Sequence, residues 1–388
     1  MKKLLFFLPL LFLNILHAQK NVTKESLLNN KDISWVAEYD VTIPFDLHTN
    51  NLNDSAYNKY HSPYERAAWI TSYNNMDFLT QMGTIGFGST TLKEMEIFNN
   101  IAVYFARAAR SPKTLAYFDA ELQKKMSADD KKKLGLNTET ITLIDPDTYS
   151  EKDTTVVTDL FYNSVRSVVK LKLLVYFDNK SASFNAVCLS IAPIVDYYDL
   201  TGIFISSGEA VWLPVDNFDK TLDYSGSNIN YAKNTLISVD LSKAKTLKSL
   251  EKPNDAGIKI LSAVRKSPSK HEIYFGQIGL ENTSEITDES KKNFGERIDS
   301  ITIVDPVTLE EKLEVVKSSI KAEHIRGIRF EMNWYWDGKE QKLKATTLAF
   351  APIVDYFDNE GILRACSPAF YKKVCKGKVI RPNDITNQ

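Results

Sequence analysis

The residues best suited to chemistry are carboxylates that occur twice in the chain. Asp196 and Asp199 close one apolar run, Asp355 and Asp358 close another, and a glycine follows each pair. Carboxylate oxygens in a flexible loop are ligands that Ca²⁺ accepts, and paired acids can also serve hydrolysis. The alternating acids of an EF-hand loop are missing, and capping of a turn after a strand uses the same residues. We expect a structural role, because an active site seldom persists in both copies of a duplication.

Other catalytic signatures are missing from the sequence. The histidines beyond residue 18 are His48, His61, His271 and His324, and none of their spacings matches a metal-ligand pattern such as His-Glu-x-x-His. Residues 83–88 are rich in glycine but lack the spacing of the dinucleotide-binding fingerprint. Neither a nucleophile elbow nor a P-loop occurs. We therefore predict no catalytic residue, no metal and no cofactor.

Aromatic residues offer a different kind of site. Trp334 and Trp336 flank Tyr335 on one predicted strand, and Trp212 and Tyr371 lie at similar places downstream of two related motifs. Such residues anchor protein interfaces, although they also fill protein cores. We predict partner binding by Trp212, Trp334, Trp336 and Tyr371, with core packing as the alternative.

An internal repeat sets the positions of these residues. Residues 191–199 (IAPIVDYYD) return as residues 350–358 (FAPIVDYFD), and residues 141–146 (ITLIDP) return as residues 301–306 (ITIVDP). Residues 110–113 and 127–135 also have counterparts, at 266–270 and 287–295, in the same order. Coincidence does not explain four matches in one order, so the chain contains a duplicated module. The repeated motif residues are Pro193, Asp196, Tyr197, Pro352, Asp355 and Tyr356.

Each copy predicts the same series of elements. Ile97, Ile101 and Phe105 keep helical spacing, and Ser127 caps a second helix that ends at Gly135. A strand then runs into Asp145-Pro146, and two further strands flank the pairs 178–179 (Asp-Asn) and 337–338 (Asp-Gly), which favour hairpin turns. The return strands are expected to end at Ala-Pro, since proline suits a strand end or a sheet edge. We predict an α+β fold, with two tandem repeats of a helix–strand–helix–antiparallel hairpin module.

The N-terminus predicts export. Lys2 and Lys3 precede an apolar run over residues 4–15, and Ala18 offers a small residue before Gln19, which is the order of a cleavable signal peptide. We divide the chain into a signal peptide (1–18), an N-terminal segment (19–92), module 1 (93–215), a connecting loop or insertion (216–253), module 2 (254–374) and a tail (375–388). The expected compartment is the periplasm.

Composition limits the possible partners. The formal net charge is −1, and nothing in the composition predicts the concentrated basic face that nucleic-acid binding requires. Three cysteines make no disulfide framework. Cys366 and Cys375 are near enough in sequence to form one bond, whereas Cys188 is typical of a small buried residue.

The module resembles a known family. A Ser-capped helix ending at Gly135 comes first, and residues 144–146 (Ile-Asp-Pro) and the strands ending at 191–193 (Ile-Ala-Pro) and 350–352 (Phe-Ala-Pro) follow it. This order is similar to that of the GldN/PorN family of gliding-motility and type IX secretion proteins of Bacteroidetes, and it covers residues 91–371 taken as two copies. The resemblance implies a periplasmic, non-enzymatic protein that binds an outer-membrane lipoprotein of the GldK/PorK kind, within a ring of secretion-system subunits.

Three hypotheses remain open from the sequence. The first is a structural component of a cell-envelope assembly, in which two fused modules occupy adjacent positions of a ring. The second is a free periplasmic module that binds glycan or peptide along the aromatic strand. The third is an enzyme built on the paired carboxylates.

Overall fold

The computed structural model describes residues 22–44, 105–106, 108–159, 165–198, 204–218, 229–266, 272–275, 284–286, 296–304, 310–357 and 361–376. Several predicted features lie outside these ranges. They are the signal peptide, His48, His61, residues 83–88, Ile97, Ile101, Asp199, His271, residues 287–295 and Asp358.

Strands make up most of the described chain. They are β1 (Ile33–Pro44), β2 (Leu136–Ile144), β3 (Glu151–Asp159), β4 (Val165–Asp178), β5 (Ser183–Tyr198), β6 (Phe204–Glu209), β7 (Leu213–Phe218), β8 (Ile229–Asp240), β9 (Lys245–Ser249), β10 (Ile273–Phe275), β11 (Ser284–Glu285), β12 (Glu296–Val304), β13 (Glu311–Ser319), β14 (Ile325–Asp337), β15 (Lys342–Phe357), β16 (Leu363–Pro368) and β17 (Tyr371–Lys373). The helices with described bounds are α1 (Lys24–Leu28), α2 (Ala128–Lys133) and α3 (Pro253–Lys266).

The predicted α+β class is wrong. The Ser127-capped helix is present, because Asp130 and Ser127 form a reciprocal capping box, but it spans only six residues. The hairpin strands are longer than expected, and segments outside the repeat also form strands. The molecule is a mostly β protein organised on one large mixed sheet.

Thirteen strands form this sheet. The main path runs β11-β10-β17-β15-β7-β5-β4-β1-β9, and β14 lies between β15 and β8. Strand β6 pairs with β5, and β16 pairs with β15. Residues 215–218 of β7 pair in parallel with residues 343–346 of β15, and this contact joins the strands of the two sequence copies.

Strands of the two sequence copies pair in the same register. Val195 pairs with Gly208 between β5 and β6, and Val354 pairs with Ser367 between β15 and β16, both displaced by 159 positions. The β4–β5 and β14–β15 hairpins each turn through four residues, and the last of these, Ala182 or Gln341, has positive φ. The predicted hairpins are therefore present, but with four-residue turns. The sides of the turns are held by Asp178 and Asp337, whose carboxylates accept backbone N–H groups of the turn.

The predicted strand ends at Ala-Pro are wrong. Pro193 and Pro352 lie inside the 16-residue strands β5 and β15. On one side of β5, pairing with β7 covers residues 190–191 and pairing with β6 starts at Ile194, so Pro193 lies at the change of partner. Pro352 lies at the matching change from β17 to β16. Since proline has no N–H to donate, it fits a long strand at this gap.

One core receives side chains from both ends of the sheet. The rings of Trp35 and Phe184 lie 6.2 Å apart, and those of Phe184 and Phe350 lie 5.7 Å apart, both edge to face. Phe105 packs on Trp336 with ring centroids 5.8 Å apart. Buried residues of α3 belong to the same cluster.

Segments outside the repeat complete this sheet. Strand β1, from the N-terminal segment, pairs with β4 along its length and with β9 on its other side. Strand β8 pairs with β14. The stretch 216–253, expected to be a connecting loop or insertion, thus supplies two strands, β8 and β9, and the loop description does not fit them.

A charged cluster lies buried on the face of β1 and β4 away from the main core. The Glu38 carboxylate lies 3.5 Å from Lys172, 3.4 Å from Lys24 and 3.3 Å from Lys245. Burial alone would raise the pKa of Glu38, but the three lysines outweigh it, and the pKa lies below its ordinary value. Burial would lower the pKa of Lys172, but Asp40, Glu121 and Glu38 raise it overall.

Candidate assembly surface

The four aromatic residues predicted to bind a partner are buried within the chain. Trp334 and Trp336 are 0 % and 1 % exposed and belong to the main core, and Trp212 and Tyr371 are almost as buried. The Trp334 indole donates to the Thr235 hydroxyl at 2.6 Å. These side chains support the packing alternative and present no surface to a partner.

The aromatic strand has neighbours on every side. Strand β14 pairs with β15 on one edge and β8 on the other, and almost all of its residues are buried. Because Tyr335 is also buried, the strand does not line a groove open to glycan or peptide. The prediction of binding along this strand is therefore wrong.

The repeated motif residues hold strands together. Asp196 is buried within β5 and accepts a hydrogen bond from the Ser207 hydroxyl on β6 at 2.5 Å. At the matching place in β15, Asp355 pairs with Cys366 of β16, and burial together with this carboxylate raises the pKa of the Cys366 thiol. The acids thus serve cross-strand pairing within a sheet, not the capping of a turn. Tyr197 and Tyr356 follow them on the same strands, and Tyr197 is partly exposed.

Three further findings concern the chemistry and compartment predicted from the sequence. Among the described residues, no group of three or more His, Cys, Asp or Glu side chains is placed to hold a metal ion. Cys188, Cys366 and Cys375 are all buried and free. The disulfide between Cys366 and Cys375 that the sequence allowed is therefore not formed. In the described ranges, none of the helices has the length and apolar character needed to cross a membrane.

Two hairpins stand apart from the large sheet. Strands β2 and β3 form one two-stranded sheet, and β12 and β13 form another. Leu136 pairs with Asp159 in the first and Glu296 with Ser319 in the second, so the same nine-pair register is displaced by 160 positions. We call residues 136–159 the first arm and residues 296–319 the second arm. Nine residues of strand extend about 30 Å.

The outer half of the first arm is exposed on all sides. Every residue from 142 to 153 is exposed, including Leu143 at 49 % and Ile144 at 61 %. In the second arm, Leu313 and Val315 are exposed as well. A two-stranded hairpin is at best marginally stable alone in water, and its outer edges carry unpaired backbone groups. These arms have the form of elements that dock on something else.

The tip of the first arm is a structured turn. The Asp145 carboxylate accepts the backbone N–H groups of Asp147 and Thr148 at 2.9 and 2.8 Å, and these hydrogen bonds hold the pKa of Asp145 below its ordinary value. Tyr149 is 80 % exposed at this tip. The predicted run of a strand into Asp145-Pro146 is confirmed.

The two arms differ in charge. The first arm contains six acidic residues and a single lysine, Lys152. The second arm also contains six acidic residues but balances them with Arg297, Lys312 and Lys317. The first arm is thus the more acidic of two structurally matching elements.

A cavity lies where the two copies meet. It has a volume of about 280 Å³, and its lining includes Asn185, Asn217, Thr346 and Lys372. Lys372 of β17 donates to the backbone carbonyls of Ser181 and Ala182, at 2.9 and 2.8 Å, and so ties the second copy to the first copy's turn. Burial lowers the pKa of Lys372 to about 8.

Residues 89–233 match the family model for "Gliding motility associated protein GldN". This segment belongs to the GldN family. The match covers somewhat more than a third of the chain and contains the first arm, β4 to β7 and the start of β8. Neither a curated protein nor a solved structure matches the chain.

The GldN family is a component of the gliding-motility and type IX secretion apparatus of the cell envelope. The family is a structural component of that apparatus and is not known as an enzyme. Other secretion subunits are therefore its expected partners. The second arm lies outside the matched segment, so the arm inside it is the better candidate for a contact typical of GldN.

Proposed function

We propose that this protein is a periplasmic, non-enzymatic scaffold of the gliding-motility and type IX secretion assembly, and that it binds an outer-membrane lipoprotein of the GldK/PorK kind. The match to the GldN family model supports a place in the gliding-motility and type IX secretion assembly. The N-terminal order of basic, apolar and small residues favours export. The observation that carries the proposal is the first arm, which is exposed over residues 142–153 and lies within the matched segment.

The arm suits a scaffold better than a free binding protein. Its exposed aliphatic side chains and strand edges gain burial and backbone hydrogen bonds only when another chain covers them. A protein that bound small ligands would need a concave pocket lined by convergent side chains. A scaffold needs reach, and the arm extends about 30 Å from its base.

Lysine-directed crosslinking in native membranes tests the proposal. Lys152 on the first arm and Lys312 at the matching position of the second arm are exposed reporters on equivalent elements. We expect mass spectrometry to find Lys152 crosslinked to an outer-membrane lipoprotein, and the crosslink to disappear in cells that lack this lipoprotein. A protein recovered only from the soluble periplasmic fraction, without such crosslinks, would refute the proposal.

A further inference from the structure

Strand β9 forms one of the edges of the large sheet. It is the last strand of the path and, among the described strands, pairs with β1 alone. Lys245, Thr246 and Ser249 on this strand are exposed, and so is Leu250 just after it. An edge of this kind can accept a further strand from another chain.

This edge is basic. Residues 243–252 contain four lysines and a single acid, Glu251. The β1–β9 register shifts between Val36 and Ala37, so Lys245 lies opposite Glu38 and Lys248 lies opposite Val36. Glu38 and Val36 point to the same face of β1, and the shift therefore brings both lysines to one face of the edge. Each ammonium group has three donors, so Lys248 can donate to a further acceptor beside the Leu28 and Asn30 carbonyls that it binds now.

The first arm carries the complementary pattern. Glu151 and Asp153 lie two residues apart on β3, so they share a face about 7 Å apart, which is the spacing of alternate residues along a strand. The outer edge of β3 pairs with no described strand. The corresponding residues of the second arm are Glu311 and Leu313, so that arm lacks the second carboxylate.

We propose that the outer edge of β3 in one molecule adds to β9 of a second copy of this chain. Backbone hydrogen bonds extend the sheet of one copy with the arm of the other, and Glu151 and Asp153 face Lys245 and Lys248. The contact joins two different surfaces, so each copy keeps a free arm and a free β9 and can bind further copies into a ring or a filament. The contact uses the outer edge of β3 and leaves exposed Leu143 and Ile144 of β2 to the lipoprotein. Its test uses the purified chain without the lipoprotein and is therefore independent of the test of the proposed function.

Directed disulfide formation tests the contact with the full mature chain. One preparation carries Lys152→Cys on β3 and another carries Thr246→Cys on β9. These exposed positions lie between the two carboxylates and between the two lysines, on the opposite face of their strands, so the four charges stay in place. Lys312→Cys is the matched control, because it occupies the place of Lys152 in the second arm. Under mild oxidation, we expect a covalent dimer in the mixture of the Lys152→Cys and Thr246→Cys proteins, and none in the mixture of the Lys312→Cys and Thr246→Cys proteins.

Charge reversal tests the recognition by sedimentation velocity. We expect Glu151→Lys with Asp153→Lys to raise the dissociation constant of self-association about tenfold, since two exposed ion pairs become two repulsions. Glu311→Lys with Leu313→Lys in the second arm should leave it unchanged. The contact is refuted if the wild-type chain stays monomeric, if Lys152→Cys dimerises equally well by itself, or if the second-arm variants behave like those of the first arm.

Discussion

The exposure of the first arm predicts that its outer half can be removed without harm to the fold. Ile141 and Thr154 are a cross-strand pair, so replacing residues 142–153 by Asn-Gly closes the remaining hairpin with the two-residue turn that suits this geometry. The same replacement between Ile301 and Glu314 shortens the second arm at the equivalent pair.

The expected cost follows from what the removed residues bury. Leu143 and Ile144 keep about half of their surface in contact with other atoms, which stabilises the fold by roughly 1 kcal/mol each. Replacing a 12-residue connection by two residues returns about 1.6 kcal/mol of chain entropy, by the logarithmic dependence on loop length. The two terms nearly cancel, and we expect the free energy of unfolding to change by less than about 1 kcal/mol.

Two measurements decide the outcome. Urea unfolding of the shortened protein should reproduce the wild-type midpoint and slope, while the outer-membrane lipoprotein should no longer co-purify with it from native membranes. The shortened second arm separates a general effect of truncation from a specific loss. A fall in stability above about 2 kcal/mol would show that the arm belongs to the folded body, and unchanged assembly with normal stability would show that it makes no contact that matters.

Three further predictions concern the folded body. Lys172→Met should destabilise the protein by about 2–3 kcal/mol in urea unfolding, because it leaves buried Glu38 with two of its three lysines. Asp40→Asn, at a side chain that is 58 % exposed, should cost less than about 0.5 kcal/mol, and equal costs for the two variants would contradict the buried cluster. Gly327→Ala should cost about 1–3 kcal/mol, because the added Cβ would lie 2.6 Å from the Val239 carbonyl oxygen. In Gly257→Ala the added Cβ meets only the movable end of the Ile325 side chain, and alanine gains helix propensity, so this variant should be the more stable of the two. A lower melting temperature for Gly257→Ala than for Gly327→Ala would refute this packing. The pKa of Lys372 is about 8 in the folded protein against an ordinary 10.5, so the unfolded chain binds more protons than the folded one between these pH values. The free energy of unfolding should therefore rise by about 2 kcal/mol from pH 7.5 to pH 9.5. If Lys372→Met shows the same rise, another group causes it.

Local patterns predicted the strands of the repeat well. Alternating side chains located β4 and β14, the matched Asp-Asn and Asp-Gly pairs located the two hairpins, and Ser127 located the capped helix. Each of these signals arises from residues close together in the chain. They could be read from the sequence because hydrogen bonding and turn conformation decide them locally.

Long-range pairing explains what the sequence did not reveal. Trp334 and Tyr335 point to opposite faces of β14, so alternation implies that one of them is exposed. Both are buried because β8, from a segment that read as a loop, pairs with this strand, and because Leu348 and Tyr371 contribute to a second cluster on the outer face. Likewise, Pro193 predicts a strand end from the local sequence, whereas pairing with β7 before it and with β6 after it lets the strand continue through this residue.

The sequence of the first arm also carries a signal of its exposure. In the β2–β3 register, Val156 lies opposite Glu139 and Val157 lies opposite Thr138, so both faces of the hairpin mix apolar and polar side chains. A strand of a packed sheet concentrates its apolar residues on one face. Alternation that leads to no apolar face therefore predicts a hairpin that stands away from the core.

Differences between the two sequence copies indicate where function has changed the protein. Positions 196 and 355 keep aspartate at the same place in the sheet, where Asp196 accepts a hydrogen bond from the Ser207 hydroxyl of β6 and Asp355 pairs with Cys366 of β16. Positions 153 and 313 are both exposed on matching arms, so no packing demand explains why one is aspartate and the other leucine. A difference without a structural cause at an exposed, geometrically equivalent site is best explained by different neighbours. We therefore expect the two arms to contact different surfaces, and the more acidic arm is suited to the basic edge that this same chain provides at β9.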